Sequence, residues 1–151
     1  MHTLKKGIPF RLGGITIPHD KGPSGHSDAD VLIHAICDAL LGACSLGDIG
    51  HHFPDTDSAY AGIDSMELLR KVVSLVAENG FRVGNVDSTV LLERPKINPY
   101  VEEMNKAIAK AMKVAEADVS VKATTNEKLG PVGREEGVSA YAVALVYKLE
   151  P

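Results

Sequence analysis

Phe81-Arg-Val-Gly-Asn-Val-Asp-Ser-Thr-Val-Leu-Leu-Glu93 is the stretch on which the fold turns. Val83, Val86, Thr89 and Val90 are β-branched and predict a strand. Pro95 and Pro99 break it, and Tyr100 to Lys113 carries the apolar spacing of an amphipathic helix. Val119 to Thr124 alternates as a second strand, and Val138 to Leu149 supplies the closing one.

Upstream, Asn79-Gly80 is a helix stop. The helix it ends begins at Asp64-Ser-Met-Glu-Leu, which resembles a capping box with Ser65 as N-cap. An earlier helix starts near Asp28 or Asp30, carries Val31, His34, Ile36, Ala39, Leu40 and Leu41 as its apolar stripe, and ends over Gly42 to Gly47. Between the two helices, Gly47 to Tyr60 reads as a polar loop. Ile8 to Pro18 predicts two short strands around the turn Gly13-Gly14, and Lys21 to Ser27 is rich in Gly, Pro and Ser and reads as loop. The pattern is α+β: one domain over residues 1–151, a mixed β-sheet with helices mainly on one face.

The chain has 151 residues, 44% hydrophobic and 24% charged, ordinary values for a globular protein. A net charge of −4 gives no general electrostatic case for nucleic acid or an anionic membrane, so an anionic ligand needs local cations or a metal. No apolar run approaches the roughly 20 residues of a membrane span, and no signal or transit peptide is recognisable, which points to the cytoplasm. Cys37 and Cys44 lie about 10 Å apart by helical rise, too far to bridge. With three Phe, four Tyr and no Trp, the core is expected to use small residues and to lean on subunit contacts.

His26-Ser27-Asp28-Ala29-Asp30 followed by His34 crowds groups able to bind metal, phosphate or backbone into nine residues. Helix capping explains one or more of the acids and Ser27, but neither histidine. Asp30 and His34, four apart, share one helical face. Gly47-Asp48-Ile49-Gly50 and Phe53-Pro54-Asp55-Thr56-Asp57 concentrate acids and glycines in a long loop, for which turn chemistry is the plain alternative to function. His51-His52 beside them reads as solvated surface. Lys122 to Gly130 ends a strand with hydroxyls, an amide and Lys128, a set able to cradle a diphosphate. Glu127 among them makes sense if a divalent cation sits between it and the phosphates. Arg134 follows in a Gly-flanked turn as a further phosphate contact.

In order, His26-Ser27-Asp28-Ala29-Asp30, His34, Asp38 to Gly42, Gly47 to Gly50, Phe53 to Asp57, Gly84 to Asp87 and Lys122 to Gly130 resemble the 2-C-methyl-D-erythritol 2,4-cyclodiphosphate synthase family. The resemblance runs from about His2 to Leu149. It implies a homotrimer with active sites at subunit interfaces, a zinc ion with a second divalent cation (magnesium or manganese), and a substrate linked to cytidine diphosphate. The implied reaction is intramolecular phosphoryl transfer that expels CMP.

Carried onto this sequence, the resemblance makes His2 and His34 zinc ligands, with His2 also near substrate, and His26 and Thr125 transition-state stabilisers. Ser27 meets phosphate, while Asp48, Ile49 and Gly50 hold the methylerythritol portion and Phe53, Pro54, Asp55, Thr56 and Asp57 line the substrate site. Leu92, Glu93, Arg94, Pro95, Lys96, Ile97 and Asn98 form the cytosine pocket with Thr124 and Thr125. Asn126 and Pro131 are further substrate contacts, Glu127 binds the second cation, and Arg134 lies near the diphosphate or the trimer axis. Two departures stand out. The family's zinc-binding aspartate falls two residues before His2, ahead of Met1, as does a glycine-rich first strand, so the N-terminal strand is expected to be truncated. Pro131 stands where many members carry Phe.

Overall fold

The structure is a computed structural model that describes residues 1–54, 56–60 and 62–150. In chain order its elements are strand β1 (His2–Lys6), β2 (Phe10–Leu12), β3 (Ile15–Ile17), β4 (Lys21–Ser24), helix α1 (Val31–Ala43), the single turn α2 (Ile49–His52), α3 (Ser65–Glu78), β5 (Phe81–Leu91), α4 (Val101–Met112), β6 (Val119–Thr124), the short α5 (Gly130–Gly133) and β7 (Gly137–Lys148). Five strands form one mixed sheet in the order β4-β1-β7-β5-β6, with β5 and β6 parallel and the other pairs antiparallel. Strands β2 and β3 form a separate hairpin.

Period-two alternation decides which sheet face the helices cover. Val83, Val86 and Val90 of β5 and Val119 and Val121 of β6 point inward and are buried. Opposite them on β7 stand Ala140, Ala142, Ala144 and Val146, packed against the core. Alanines in the middle of the sheet allow α1 to approach closely through Leu32, Ile33, Ile36, Leu40 and Leu41. Leu69, Val72 and Val76 of α3 and Met104, Ile108 and Met112 of α4 complete the core. Cys37 and Cys44 are free and buried within it.

The other face of β7 is bare. Tyr141, Val143, Leu145 and Tyr147 are exposed there, Val143 to 72%. Opposite-charge pairing of Lys122 with Asp87 (2.6 Å) and stacking of Arg82 on Tyr147 (4.4 Å) occur at its margin. Gly84 marks a bulge in β5, where a Cβ would come 2.6 Å from the Tyr147 ring.

Three expectations are corrected. Lys21–Ser24 is an edge strand rather than loop: Pro23 is tolerated because its nitrogen needs no ladder partner there, and Gly22 is needed because a Cβ would strike the carbonyls of Ile8 and Pro9. The Gly47 to Tyr60 loop contains α2 and a 3₁₀ turn, Ser58–Tyr60. The N-cap of α3 is Asp64, whose carboxylate accepts from Met66 N–H at 2.8 Å, and not Ser65.

Asp30 ties the first hairpin to α1. Gly13 and Gly14 make the two-residue turn with positive φ (61° and 80°). Gly14 N–H donates to one Asp30 oxygen (2.7 Å) and Ile33 N–H to the other (3.1 Å), with Asp30 fully buried. Asp30→Ala removes the cap and strands a buried N–H, so it is expected to cost about 2–4 kcal/mol, read from urea unfolding. A loss below about 1 kcal/mol would contradict this role.

Candidate active site

The N-terminal end of α1 faces β1, and this brings His2 and His34 together. His2 Nε2 and His34 Nδ1 are 3.0 Å apart, the rings edge to face. Burial pushes the His34 pKa down to about 4, reinforced by His2, and burial also lowers His2. Both imidazoles are therefore neutral at neutral pH, with lone pairs available for a metal. Two nitrogens on one tetrahedral zinc, each about 2.0–2.1 Å from it, lie roughly 3.4 Å apart, so a few tenths of an ångström separate the observed pair from that spacing. The pair fits a zinc-type ion as far as two ligands go. Among the described residues, no three His, Cys, Asp or Glu side chains converge to hold one.

A cleft of about 350 Å³ opens beside the pair, lined by His2, His26, Ser27, His34, Ile49, Gly50, Phe53, Tyr60, Ile63 and Leu68. Its polar groups come from β1, α1 and the approach to α1, and its apolar wall from α2, α3 and the segment between them. Ser27 Oγ accepts from Ala29 N–H (3.2 Å) and lies 3.1 Å from His34 Nε2. Asp48 caps α2 through His51 N–H (3.0 Å), and Asp38 accepts from Ile49 N–H (2.9 Å), which fixes the Ile49-Gly50 backbone against the cleft. His52, expected on the solvated surface with His51, is half-buried and donates to the Leu46 carbonyl (2.7 Å). Phe53 meets Tyr60 edge to face at 5.4 Å, and the Lys71 ammonium lies 5.1 Å from the Tyr60 ring. Pro54, Thr56 and Asp57 are exposed outside this lining, and Asp55 lies outside the described residues.

A second, smaller cleft of about 190 Å³ shares no residue with the first. Leu92, Pro95, Lys96, Ile97, Asn98, Ala123, Thr124 and Thr125 line it. Glu93 turns away from it: one carboxylate oxygen accepts from Asn126 N–H (2.9 Å) and Lys128 N–H (3.1 Å) and pins the loop after β6. Within that loop Thr125 Oγ1 lies 3.3 Å from Glu127 Oε1, and Glu127 and Lys128 adopt left-handed φ of 50° and 63°. Pro131 opens α5, and Arg134, expected in a simple turn, ends that helix and pairs with Glu136 through both fork nitrogens at 3.0 Å.

A larger cavity of about 720 Å³ lies by the Phe81 end of β5. Its charged groups are Glu78, Arg82, Lys113 and Asp118, with no histidine or cysteine among the lining residues, so chemistry rather than volume picks the site. Tyr60, Ile63 and Leu68 in the first cleft, and Ser65 behind it, were not anticipated as site residues. An apolar lining residue leaves no motif, and Ser65 was hidden by its plausibility as a cap.

Burial acts oppositely on two neighbours, which yields a pH test on metal-free protein. His34, held at about 4 against an ordinary 6.5, gives stability that is present above pH 6.5 and lost as pH falls through 4. Asp30, raised by burial to about 6 against 3.8, gives stability that is present below pH 3.8 and lost as pH rises through 6. Each effect is on the order of 3 kcal/mol and they largely offset. Asp30→Asn is therefore expected to show a steeper fall in urea-unfolding stability between pH 6.5 and 4 than the parent chain. Parallel curves would contradict it.

Residues 1–147 match the model of the YgbB family. A 2-C-methyl-D-erythritol 2,4-cyclodiphosphate synthase of Cytophaga hutchinsonii is 57% identical over 98% of this chain and 93% of its own length. The bifunctional IspDF of Campylobacter jejuni superposes with a TM-score of 0.94 at 39% identity, over 99% of this chain and 40% of that protein. A CDP-bound structure of 2C-methyl-D-erythritol-2,4-cyclodiphosphate synthase superposes with a TM-score of 0.89 at 35% identity, over 97% of this chain and 95% of its own. The family match and these relatives thus define a phosphorus–oxygen lyase of isoprenoid biosynthesis. The chain belongs to the YgbB family, the 2-C-methyl-D-erythritol 2,4-cyclodiphosphate synthases.

Proposed function

We propose that the chain converts 4-diphosphocytidyl-2-C-methyl-D-erythritol 2-phosphate into the cyclic diphosphate and CMP. An oxygen of the 2-phosphate attacks the β-phosphorus, the bond from that phosphorus to the bridging oxygen breaks, and CMP leaves with the bridging oxygen. Phosphoryl transfer needs positioning and charge neutralisation more than a protein nucleophile. The observation that carries the reading is the presence of two separate half-sites, a neutral histidine pair with its cleft and a small pocket built from 92–98 and 123–125.

In this reading His2 and His34 hold zinc and Glu127 holds a second divalent cation, magnesium or manganese; the cations supply neutralisation of phosphate charge when bound. Ser27 donates its hydroxyl proton to phosphate, His26 and Thr125 stabilise the charge that develops in transfer, and Ile49 and Gly50 hold the methylerythritol portion beside Asp48. Phe53 to Asp57 form the rim of that portion's site. Leu92 to Asn98 with Thr124 and Thr125 take the cytosine; a relative that binds CDP supports a cytidine nucleotide as ligand. Asn126, Pro131 and Arg134 lie at the phosphate end. The bare face of β7 assembles the chain as a homotrimer, since Tyr141, Val143, Leu145 and Tyr147 form an apolar surface of the kind that marks an interface, and each active site is completed between subunits. No described helix is long and apolar enough to cross a membrane, in keeping with a cytoplasmic enzyme.

Incubation with the cytidine substrate, zinc and magnesium tests the reading by phosphorus NMR of the products. Cyclic diphosphate plus CMP is expected. Linear products would show a phosphohydrolase, and CMP binding without turnover would show a non-catalytic nucleotide-binding protein.

A further inference from the structure

We infer that Asp28 and Ser65 are positioning residues that lock His34 in the tautomer with its proton on Nε2, leaving the Nδ1 lone pair to face His2 Nε2 and a metal. The inference deepens the reading of His34 as a zinc ligand and rests on it for the link to metal.

Ser65 is free for this role because Asp64 caps α3 in its place. Its hydroxyl is fully buried and makes two contacts, a short bond to Asp28 Oδ1 and a 2.9 Å contact with His34 Nε2. A hydroxyl has one proton, and the direction of that proton is set by Asp28. The Asp28 carboxylate is surrounded by donors: Ser65 N–H at 3.2 Å, Asp30 N–H at 3.2 Å and the Arg11 guanidinium at 3.7 Å. An acceptor-only group held in this way takes the Ser65 proton. Ser65 Oγ then presents only lone pairs to His34. An unprotonated Nε2 would place lone pair against lone pair at 2.9 Å in a buried site, so Nε2 carries the proton and shares it between Ser65 and Ser27. Ser27 Oγ, accepting from His34 and from Ala29 N–H, keeps its own proton for the cleft.

The same relay explains why an arginine sits over two aspartates outside the site. Arg11 contacts Asp28 and Asp64 at 3.7 and 3.8 Å, so it steadies both the relay carboxylate and the cap of the helix that carries Ser65. Buried ligand histidines in general depend on such outer partners, whose loss costs about 10–100-fold in metal affinity.

The test uses the full chain with histidine nitrogens labelled, stripped of metal at neutral pH, followed by zinc titration. Nitrogen NMR is expected to show His34 as the Nε2–H tautomer. In Asp28→Asn the amide oxygen stays toward Arg11 and Ser65 N–H, and the amide nitrogen takes the place of Oδ1, which gives up the bond from Asp30 N–H and frees the Ser65 hydroxyl to donate to His34. The Nδ1–H form should then become populated and zinc affinity fall about 10–100-fold. Ser65→Ala, which keeps a good helix former in the first turn of α3, should give a mixture of tautomers and a loss of about tenfold; it carries the test if Asp28→Asn does not fold. An Nδ1–H tautomer in the parent chain, or folded variants with the parent tautomer and zinc affinity, overturns the inference. A parent chain with the Nε2–H tautomer that takes up no zinc overturns the ligand reading and with it the link to metal.

Discussion

Replacing His34 by Ala is expected to remove bound zinc and lower kcat/KM by about three powers of ten, or about 4 kcal/mol, while the fold survives. The asymmetry follows from where His34 sits. It is on the first turn of α1, with its ring between Ser27, Ser65 and His2 rather than among the large core residues. The core below it, Leu32, Ile33, Ile36 and Leu40, is untouched. Truncation leaves a small gap and takes one partner from each of the Ser27 and Ser65 hydroxyls, which keep Ala29 N–H and Asp28, and this costs roughly 1–3 kcal/mol of stability. Metal content by mass spectrometry, circular dichroism and turnover separate the effects. Unchanged zinc occupancy would contradict the ligand assignment.

Val143→Asp is the second large effect. Val143 stands at the middle of β7, 72% exposed, on the sheet face that no described helix covers. Within the isolated chain an aspartate there meets solvent and should change stability little, within about 1 kcal/mol. In a trimer built through that face the same carboxylate is buried without a partner, a cost of several kcal/mol per subunit. Sedimentation should therefore move from three times the 16.1 kDa chain mass to the mass of one chain, and activity should be lost with it. An unchanged assembly would show that this face is not the interface.

How far the sequence spoke depends on the range of the interaction that decides each feature. Local rules were enough for β5, α1 and α4, where β-branching, apolar spacing and the breaks at Pro95 and Asn79-Gly80 all agree. Those rules failed at Lys21–Ser24, whose composition is that of a loop and whose strand state is imposed by pairing with β1 at an edge where a proline does no harm. They also failed at Ser65. Asp64 and Ser65 are both good caps, and only the contact with Asp28 and His34, respectively 37 and 31 residues away, settles which one is used. For the candidate site, the ordered motifs signalled phosphate and metal chemistry, but the approach of His2 to His34 across 32 residues depends on the sheet. The division into two clefts was legible only through the resemblance, which implied a separate cytosine pocket and sites at subunit interfaces; no local pattern carries it, because it follows from where β5 and β6 end relative to α1.

In the proposed trimer, His34 and Thr125 of one chain would serve different active sites, since they lie in separate clefts. Co-expressing His34→Ala and Thr125→Ala chains tests it directly, since each variant alone should be nearly inactive. The co-expressed population should recover about a quarter of the parental cyclase rate, as random assortment around a cyclic trimer leaves that share of all sites with both walls intact. Activity no higher than that of the single variants, in trimers shown to be mixed, would contradict a site shared between subunits.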